Sequence, residues 1–258
     1  MSDQGPTLGK IPLSAFGCSA LPDCDNDIVE GLRSLPDLTG MISDAMDLLG
    51  LEGAVSSAEL RPVLSGARVV GPAITVKNVR RSDSVAQAVA GGRSMLADIE
   101  AHNLARPGDV VVVQAVEGIS SLGGIATSIA ARQGEAGIVV DGYVRDTGAI
   151  IDNALPVWAR GTTPLTGKWR LETVSINTEI EICGRRVAPG DIVAADDTGL
   201  CFIPLAAAGQ VLAVAKAIEA DEAHRLKAIY DGVPIKDLPK ANHIHKPAAP
   251  AATQQRAP

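Results

Sequence analysis

The run Val110-Val111-Val112-Val113, introduced by Pro107-Gly108-Asp109 and closed by Gln114, constrains the fold more than any other segment. A strand with one wet face alternates apolar and polar residues. A strand that is apolar at every position has to be covered on both faces. Residues 109–114 therefore predict a strand inside a sheet with layers on both sides. Residues 137–141, ending in Val139-Val140-Asp141, predict a second strand of the same kind. The Ala-rich stretch 124–132 between them predicts a helix.

The rest of the chain follows this pattern. Helical apolar spacing occurs in residues 28–35 and 41–49, with Thr39 or Asp37 as the expected cap of the second helix. Residues 67–76 alternate and predict a strand, and 94–103 predict a helix. Short strands are expected at 157–160, 174–177, 180–183, 192–195 and 201–203, with turn residues between them. Residues 205–230 predict a long terminal helix with Leu, Val, Ala and Ile on one stripe. Aromatic residues are 2% of the 258 while 46% are hydrophobic, so the core must be filled by Val, Ile, Leu and Ala. With 26 Gly, that composition favours an α/β layered arrangement over a β-sandwich. Residues 1–25 read as an arm or extension, 26–236 as a single α/β domain, and 237–258 as a flexible Pro/Ala-rich tail. His243 and His245 in that tail form a His-x-His pair with no acidic or thiol partner near them in sequence.

Several function classes are disfavoured. The net charge is −7, and the densest basic spot is the pair Arg80 and Arg81, so binding of nucleic acid through its phosphates is not expected. A small anion can still be held by one local Arg. Cys18, Cys24, Cys183 and Cys201 form no C-x-x-C pair and read as idle thiols in a reducing compartment. Met1–Lys10 lacks a secretory pattern and no apolar run reaches membrane-spanning length, so the cytoplasm is the expected location.

Three segments carry candidate chemistry. Gly123-Gly124-Ile125-Ala126 opens a helix, where free amides suit a carboxylate or phosphate; two glycines can equally make a tight turn. It is not a G-x-G-x-x-G loop, and no nucleotide site is implied. At the end of the second buried strand stands Gly142-Tyr143-Val144-Arg145-Asp146. Arg145 offers a fork that matches a carboxylate, and Asp146 offers hard oxygens for a hydrated Mg²⁺. The plain alternative is that Asp146 caps the next helix and Arg145 is a surface charge. In the third segment, Asp196 and Asp197 lie between Gly190 and Gly199 in a turn-and-strand rhythm and read mainly as turn formers.

Taken in order, Gly71-Pro72-Ala73-x-Thr75-Val76, Pro107-Gly108-Asp109-Val110, Gly123-Gly124, Val140-Asp141-Gly142-x-Val144-Arg145-Asp146, Ala159-Arg160-Gly161-Thr162-Thr163-Pro164 and Pro189-Gly190-Asp191 with Asp196-Asp197-x-Gly199 resemble the RraA-like proteins. That family includes 4-hydroxy-4-methyl-2-oxoglutarate/4-carboxy-4-hydroxy-2-oxoadipate aldolases and the regulator of ribonuclease E activity. The resemblance spans roughly Asp27 to Gly232. It implies a swivelling-domain-like layered α/β sandwich, with helices flanking a central sheet, assembled as homotrimers or hexamers with sites between subunits. It also implies a divalent-metal-dependent lyase acting on a small 2-oxo acid, by retro-aldol cleavage to pyruvate or by oxaloacetate decarboxylation. Mg²⁺ is the expected metal, with Mn²⁺ as a substitute.

By the same resemblance Arg145 binds the substrate and stabilises charge, Asp146 holds the metal largely through water, and the amides of Ile125 and Ala126 receive the carboxylate beside Gly123 and Gly124. Glu222, with Glu219 as the alternative, reaches a neighbouring subunit's site. Gly124 departs from the pattern, because the aldolases usually carry Asp or Glu there. That departure keeps a different substrate open. The ribonuclease regulators, the non-enzymatic alternative, do not generally keep the full Arg-Asp pair.

Overall fold

The computed structural model describes residues 7–18 and 21–240. His243 and His245 lie outside the described residues. Along the chain, helices α1 (Asn26–Arg33) and α2 (Leu38–Leu49) precede strands β1 (Ala54–Ser56), β2 (Arg61–Pro62) and β3 (Val69–Arg80). Then come α3 (Val85–Ala90), α4 (Ile99–Leu104), β4 (Val110–Gln114), β5 (Ser120–Leu122), α5 (Gly124–Gln133), β6 (Gly137–Val144), α6 (Thr147–Asp152) and β7 (Val157–Thr162). The last part holds β8 (Leu171–Ile176), β9 (Ile180–Ile182), β10 (Arg185–Val187), β11 (Ile192–Ala195), β12 (Gly199–Ile203) and α7 (Ala208–Tyr230).

The main sheet runs in the order β1-β12-β11-β3-β4-β6-β7-β2, with β8 also on β3 and β5 also on β6. Its centre, β3-β4-β6-β7, is parallel. The flanking pairs β11 with β3, β12 with β11 and β1 with β12 are antiparallel. Residues Val110 to Val113 are at most 3% exposed, as a both-faces strand requires. Val111 and Val113 join Ile138, Val140, Ala101, Ala130 and Ile150 in one core, on the side where α4, α5 and α6 cross over. Val110 and Val112 point the other way and meet Trp158, Phe202, Ile182 and Val187. A third core packs α1, α2 and α7 onto β11 and β12. Each buried Val contributes about 1.5–3 kcal/mol, and two-sided coverage collects that from every position of the run. The result is the expected layered α/β fold, with helices flanking a large mixed sheet.

Local differences have local causes. The strand expected at 67–76 runs to Arg80, because β8 pairs with its second half through a register shift at Lys77/Asn78. Of the helix expected at 94–103, only α4 forms. The preceding residues are drawn into sheet-like contact, with Thr173 N donating to Met95 O and Ala97 N to Thr173 Oγ1. Helix α3 was not anticipated, although Ser84 and Gln87 form a capping box. Between β4 and α5, the short strand β5 pairs with β6. Residues 7–18 lie on the domain: buried Ile11 joins the first core, and Glu100 accepts from Thr7 Oγ1 and from the amides of Leu8 and Lys10.

Neither expected cap of α2 acts as one. Asp37 occupies the N-cap position without a side-chain bond, and Thr39 lies inside the helix. Instead Asp196, distant in sequence, accepts from Thr39 N at 3.1 Å and from Thr39 Oγ1 at 2.7 Å, and also from Thr198 N at 2.8 Å. Partial burial disfavours its charge, but these hydrogen bonds outweigh that and hold the carboxyl below its ordinary value. Asp196 is thus a structural tie, and Asp197, which accepts from Gly66 N, is another. Replacing Asp196 with Ala is expected to cost about 1–3 kcal/mol in urea unfolding at neutral pH. A depressed carboxyl stabilises the fold above its unfolded value and loses that contribution as pH falls through its folded one. The gap between variant and wild type should therefore narrow in acid.

A further tie joins the β9–β10 hairpin to the sheet. Asp141 Oδ1 accepts from Arg160 Nε at 2.5 Å, and Oδ2 accepts from Cys183 N at 2.8 Å. This assigns the Asp141 and Arg160 of the sequence motifs to packing. All four cysteines are free. Burial pushes the thiols of Cys183 and Cys201 up to about 12, so both stay protonated. Among the described residues, no helix is long and apolar enough to cross a membrane.

Candidate active site

Because β3, β4, β6 and β7 are parallel and α4, α5 and α6 return between them, the starts of these three helices share the rim at the strands' carboxyl ends. Sites in open α/β sheets collect at such rims. The N-cap residues are Asp98 for α4, Gly123 for α5 and Asp146 for α6. A pocket of about 850 Å³ opens there, and Arg145, Asp146 and the first turn of α5 line it.

Asp146 sits in left-handed backbone, φ 54° and ψ 45°, a conformation Asp tolerates better than most side chains. Its side chain makes no bond to its own helix. It turns to α5 instead, where Oδ2 accepts from Gly124 N at 2.9 Å. The plain expectation that Asp146 caps the next helix is thus corrected: it occupies the N-cap of α6 but serves the N-terminus of α5. Arg145 is fixed by its own amide, which donates to Leu122 O at 3.0 Å, and its Nε lies 3.5 Å from Asp146 Oδ2. A Cβ on Gly123 would stand 3.0 Å from Arg145 Nε and 3.1 Å from Asp146 Oδ2, so a side chain there would press on the pair. A Cβ on Gly124 would stand 3.2 Å from the Ala149 Cβ, which leaves little slack for the carboxylate this position lacks.

The geometry brings Gly123, Gly124, Ile125, Ala126, Arg145 and Asp146 to one pocket. The amides of Ile125 and Ala126 are first-turn donors without an intrahelical acceptor, and the helix start favours an anion. Two pocket cations were not found from the sequence. Lys168 enters from the turn before β8, with Nζ 4.5 Å from the Trp169 ring centre, and Arg132 from the last turn of α5. Nothing in their sequence neighbourhoods marks them. Leu96 and Ile99 supply apolar wall, and the Ser121 hydroxyl beside them is buried without a partner. On its other side the Arg145–Asp146 pair faces a smaller hollow of about 390 Å³ formed with Thr162, Thr163 and Pro164.

The two candidate glutamates lie elsewhere. Helix α7 packs away from the pocket, against α1, α2 and the β11–β12 part of the sheet. Glu219 is held by Lys216 Nζ at 2.8 Å, and neither Glu219 nor Glu222 lines this chain's pocket.

Fold and site together define an α/β protein whose parallel-strand rim carries a pocket lined by an Arg-Asp pair and the open first turn of a helix. The family model described as RraA-like, Aldolase/RraA, matches residues 39–202, and the chain belongs to that family. A Halalkalibacterium halodurans protein with the provisional name 4-hydroxy-4-methyl-2-oxoglutarate aldolase is 35% identical over 209 residues, covering 80% of this chain and 90% of the relative. A solved structure from Pseudomonas syringae pv. tomato superimposes with a TM-score of 0.69 at 25% identity, over 83% of this chain and 98% of that one. Streptomyces coelicolor RraAS2, described as an unusual member of the RNase ES inhibitor RraA family, shares the fold with a TM-score of 0.63 at 24% identity, over 83% of this chain and 99% of that one.

Proposed function

We propose that this chain is a divalent-metal-dependent lyase that cleaves a carbon–carbon bond of a small 2-oxo acid and releases pyruvate, by retro-aldol cleavage or oxaloacetate decarboxylation. The observation that carries this reading is the Arg145–Asp146 pair set against the open first turn of α5. The provisional aldolase name of the Halalkalibacterium halodurans relative supports the same class.

The donor set bears on the metal. Among the described residues, no three His, Cys, Asp or Glu side chains cluster to cage an ion. Asp146 offers one carboxylate whose Oδ2 is committed to Gly124 N. That fits Mg²⁺, or Mn²⁺ in its place, which keeps several waters and completes its shell with substrate oxygens. When bound, the ion supplies Lewis-acid polarisation of the 2-oxo group. The Ile125 and Ala126 amides take the substrate carboxylate, and Arg145 places its fork where negative charge grows on the keto oxygen. The base for the C4 hydroxyl is Glu222 of a neighbouring subunit, in a trimer or hexamer, or ordered water. No lysine is required as an imine former.

The test is pyruvate release from oxaloacetate and from 4-hydroxy-4-methyl-2-oxoglutarate, with Mg²⁺ and with chelator. Turnover is expected with metal, a loss of at least about 100-fold with chelator, and a similar loss in Asp146→Ala. Turnover indifferent to both would sink the metal route. No turnover of either acid, with a co-purifying protein partner, would favour the non-enzymatic regulator.

A further inference from the structure

Cleavage of the C3–C4 bond leaves the electron pair on C3 as an enolate, and a proton must reach that carbon before pyruvate departs. Of this chain's own pocket residues already given a role, neither supplies it: Arg145 stays charged, and Asp146 is engaged with Gly124 and Arg145. The ionisable side chains lining the pocket are Asp98, Arg132, Arg145, Asp146 and Lys168, so Asp98 is its other carboxylate among the described residues.

Asp98 is unusual for an N-cap aspartate. Its backbone is already helical, φ −50° and ψ −29°, and its side chain makes no capping bond. An N-cap Asp ordinarily spends its carboxylate on the second or third amide of its helix. Here the group lines the pocket beside Ile99 and Leu96, held by the nearby backbone amides of Ile99 and Asp98 itself. One turn further on, buried His102 Nδ1 lies 2.8 Å from Glu135 Oε1, a pair held away from solvent behind Asp98. Leu96, Ile99 and Ile129 make the adjoining wall apolar.

We propose that Asp98 is the acid–base residue that carries the proton to and from C3 of the pyruvate enolate. In the cleavage direction its O–H bond breaks, the C3–H bond forms with the enolate electron pair, and the resulting carboxylate regains a proton from pocket water. In reverse the carboxylate takes a methyl proton from pyruvate. This inference rests on the lyase reading. Burial raises the Asp98 carboxyl above its ordinary value, with His102 opposing, and that favours a protonated form able to donate.

The reaction to follow is exchange of pyruvate methyl protons for deuterium in D₂O, by NMR, on the metal-loaded enzyme, with pyruvate binding measured by calorimetry. Asp98→Asn is expected to slow exchange at least about 100-fold while pyruvate affinity stays within about threefold, and Asp98→Glu to recover part of the rate. Thermal unfolding of each variant guards against loss of fold. Exchange at the wild-type rate in Asp98→Asn overturns the proposal. So does exchange that survives in Asp98→Asn but is lost in Lys168→Met, which moves the role to Lys168. If wild-type protein binds pyruvate but the variant does not, Asp98 acts in binding and the proposal falls. If wild-type protein neither binds nor exchanges pyruvate and cleaves no 2-oxo acid, the lyase reading itself fails and takes this inference with it.

Discussion

Replacing Arg145 with Lys is expected to lower kcat/KM for 2-oxo acid cleavage by roughly 100- to 1,000-fold, although the charge is kept. The reason lies in shape. Arg145 presents a planar fork whose Nε stands 3.5 Å from Asp146 Oδ2, leaving the remaining N–H groups for the pocket. A lysine ammonium is a point charge on a flexible stem and cannot meet Asp146 and a substrate oxygen together in fixed geometry. Arg145→Ala should cost at least as much, because the charge that answers the growing enolate is then absent. Stability should change little in either variant: the two side chains are 41% and 48% exposed, and an ion pair so exposed is worth at most about 1 kcal/mol. Steady-state kinetics set beside urea unfolding separate the two effects. A lysine variant that keeps wild-type kcat/KM would remove Arg145 from the chemistry.

Particular residues explain how far the fold and site could be read without coordinates. Val110 to Val113 announced a strand buried on both faces because side-chain hydrophobicity at consecutive positions has one structural solution. Helices α5 and α7 were legible from composition and stripe. Reading failed where a distant partner decided the local outcome. Residues 94–97 have helical spacing, yet Thr173, 76 positions from Ala97, holds them in sheet-like contact. Helix α2 is capped from Asp196, 157 positions from Thr39, and no local signal encodes that. In the site, Arg145 and Asp146 stood out because they adjoin a strand end and a helix start. Lys168, Arg132 and Asp98 join them only through the packing of α4 and α5 and the turn before β8. Asp98 is the most instructive, since the sequence places it inside a helix over 94–103, whereas the fold starts α4 only at Ile99 and sets Asp98 at the pocket rim.

The second large effect concerns the pair behind Asp98. His102→Leu is expected to destabilise the protein by about 3–5 kcal/mol, because it leaves Glu135 buried with no cation beside it. His102 is 1% and Glu135 6% exposed, and Glu135 Oε2 already lacks a partner, so nothing nearby can take over. Burial alone would push the imidazole down. The hydrogen bond and charge of Glu135, with Asp98, outweigh it and hold His102 above its ordinary value. A group raised on folding contributes stability that is complete below its unfolded value and is lost as pH rises through its folded one. Wild-type unfolding free energy should therefore carry a downward alkaline component above about pH 6.5 that the leucine variant lacks. The double variant His102→Leu, Glu135→Leu should recover most of the loss, since a buried pair replaced by apolar side chains of similar size is often neutral or better. Urea midpoints across pH for wild type, single and double variants test this directly. A single variant as stable as wild type would mean that Glu135 sheds its charge without cost.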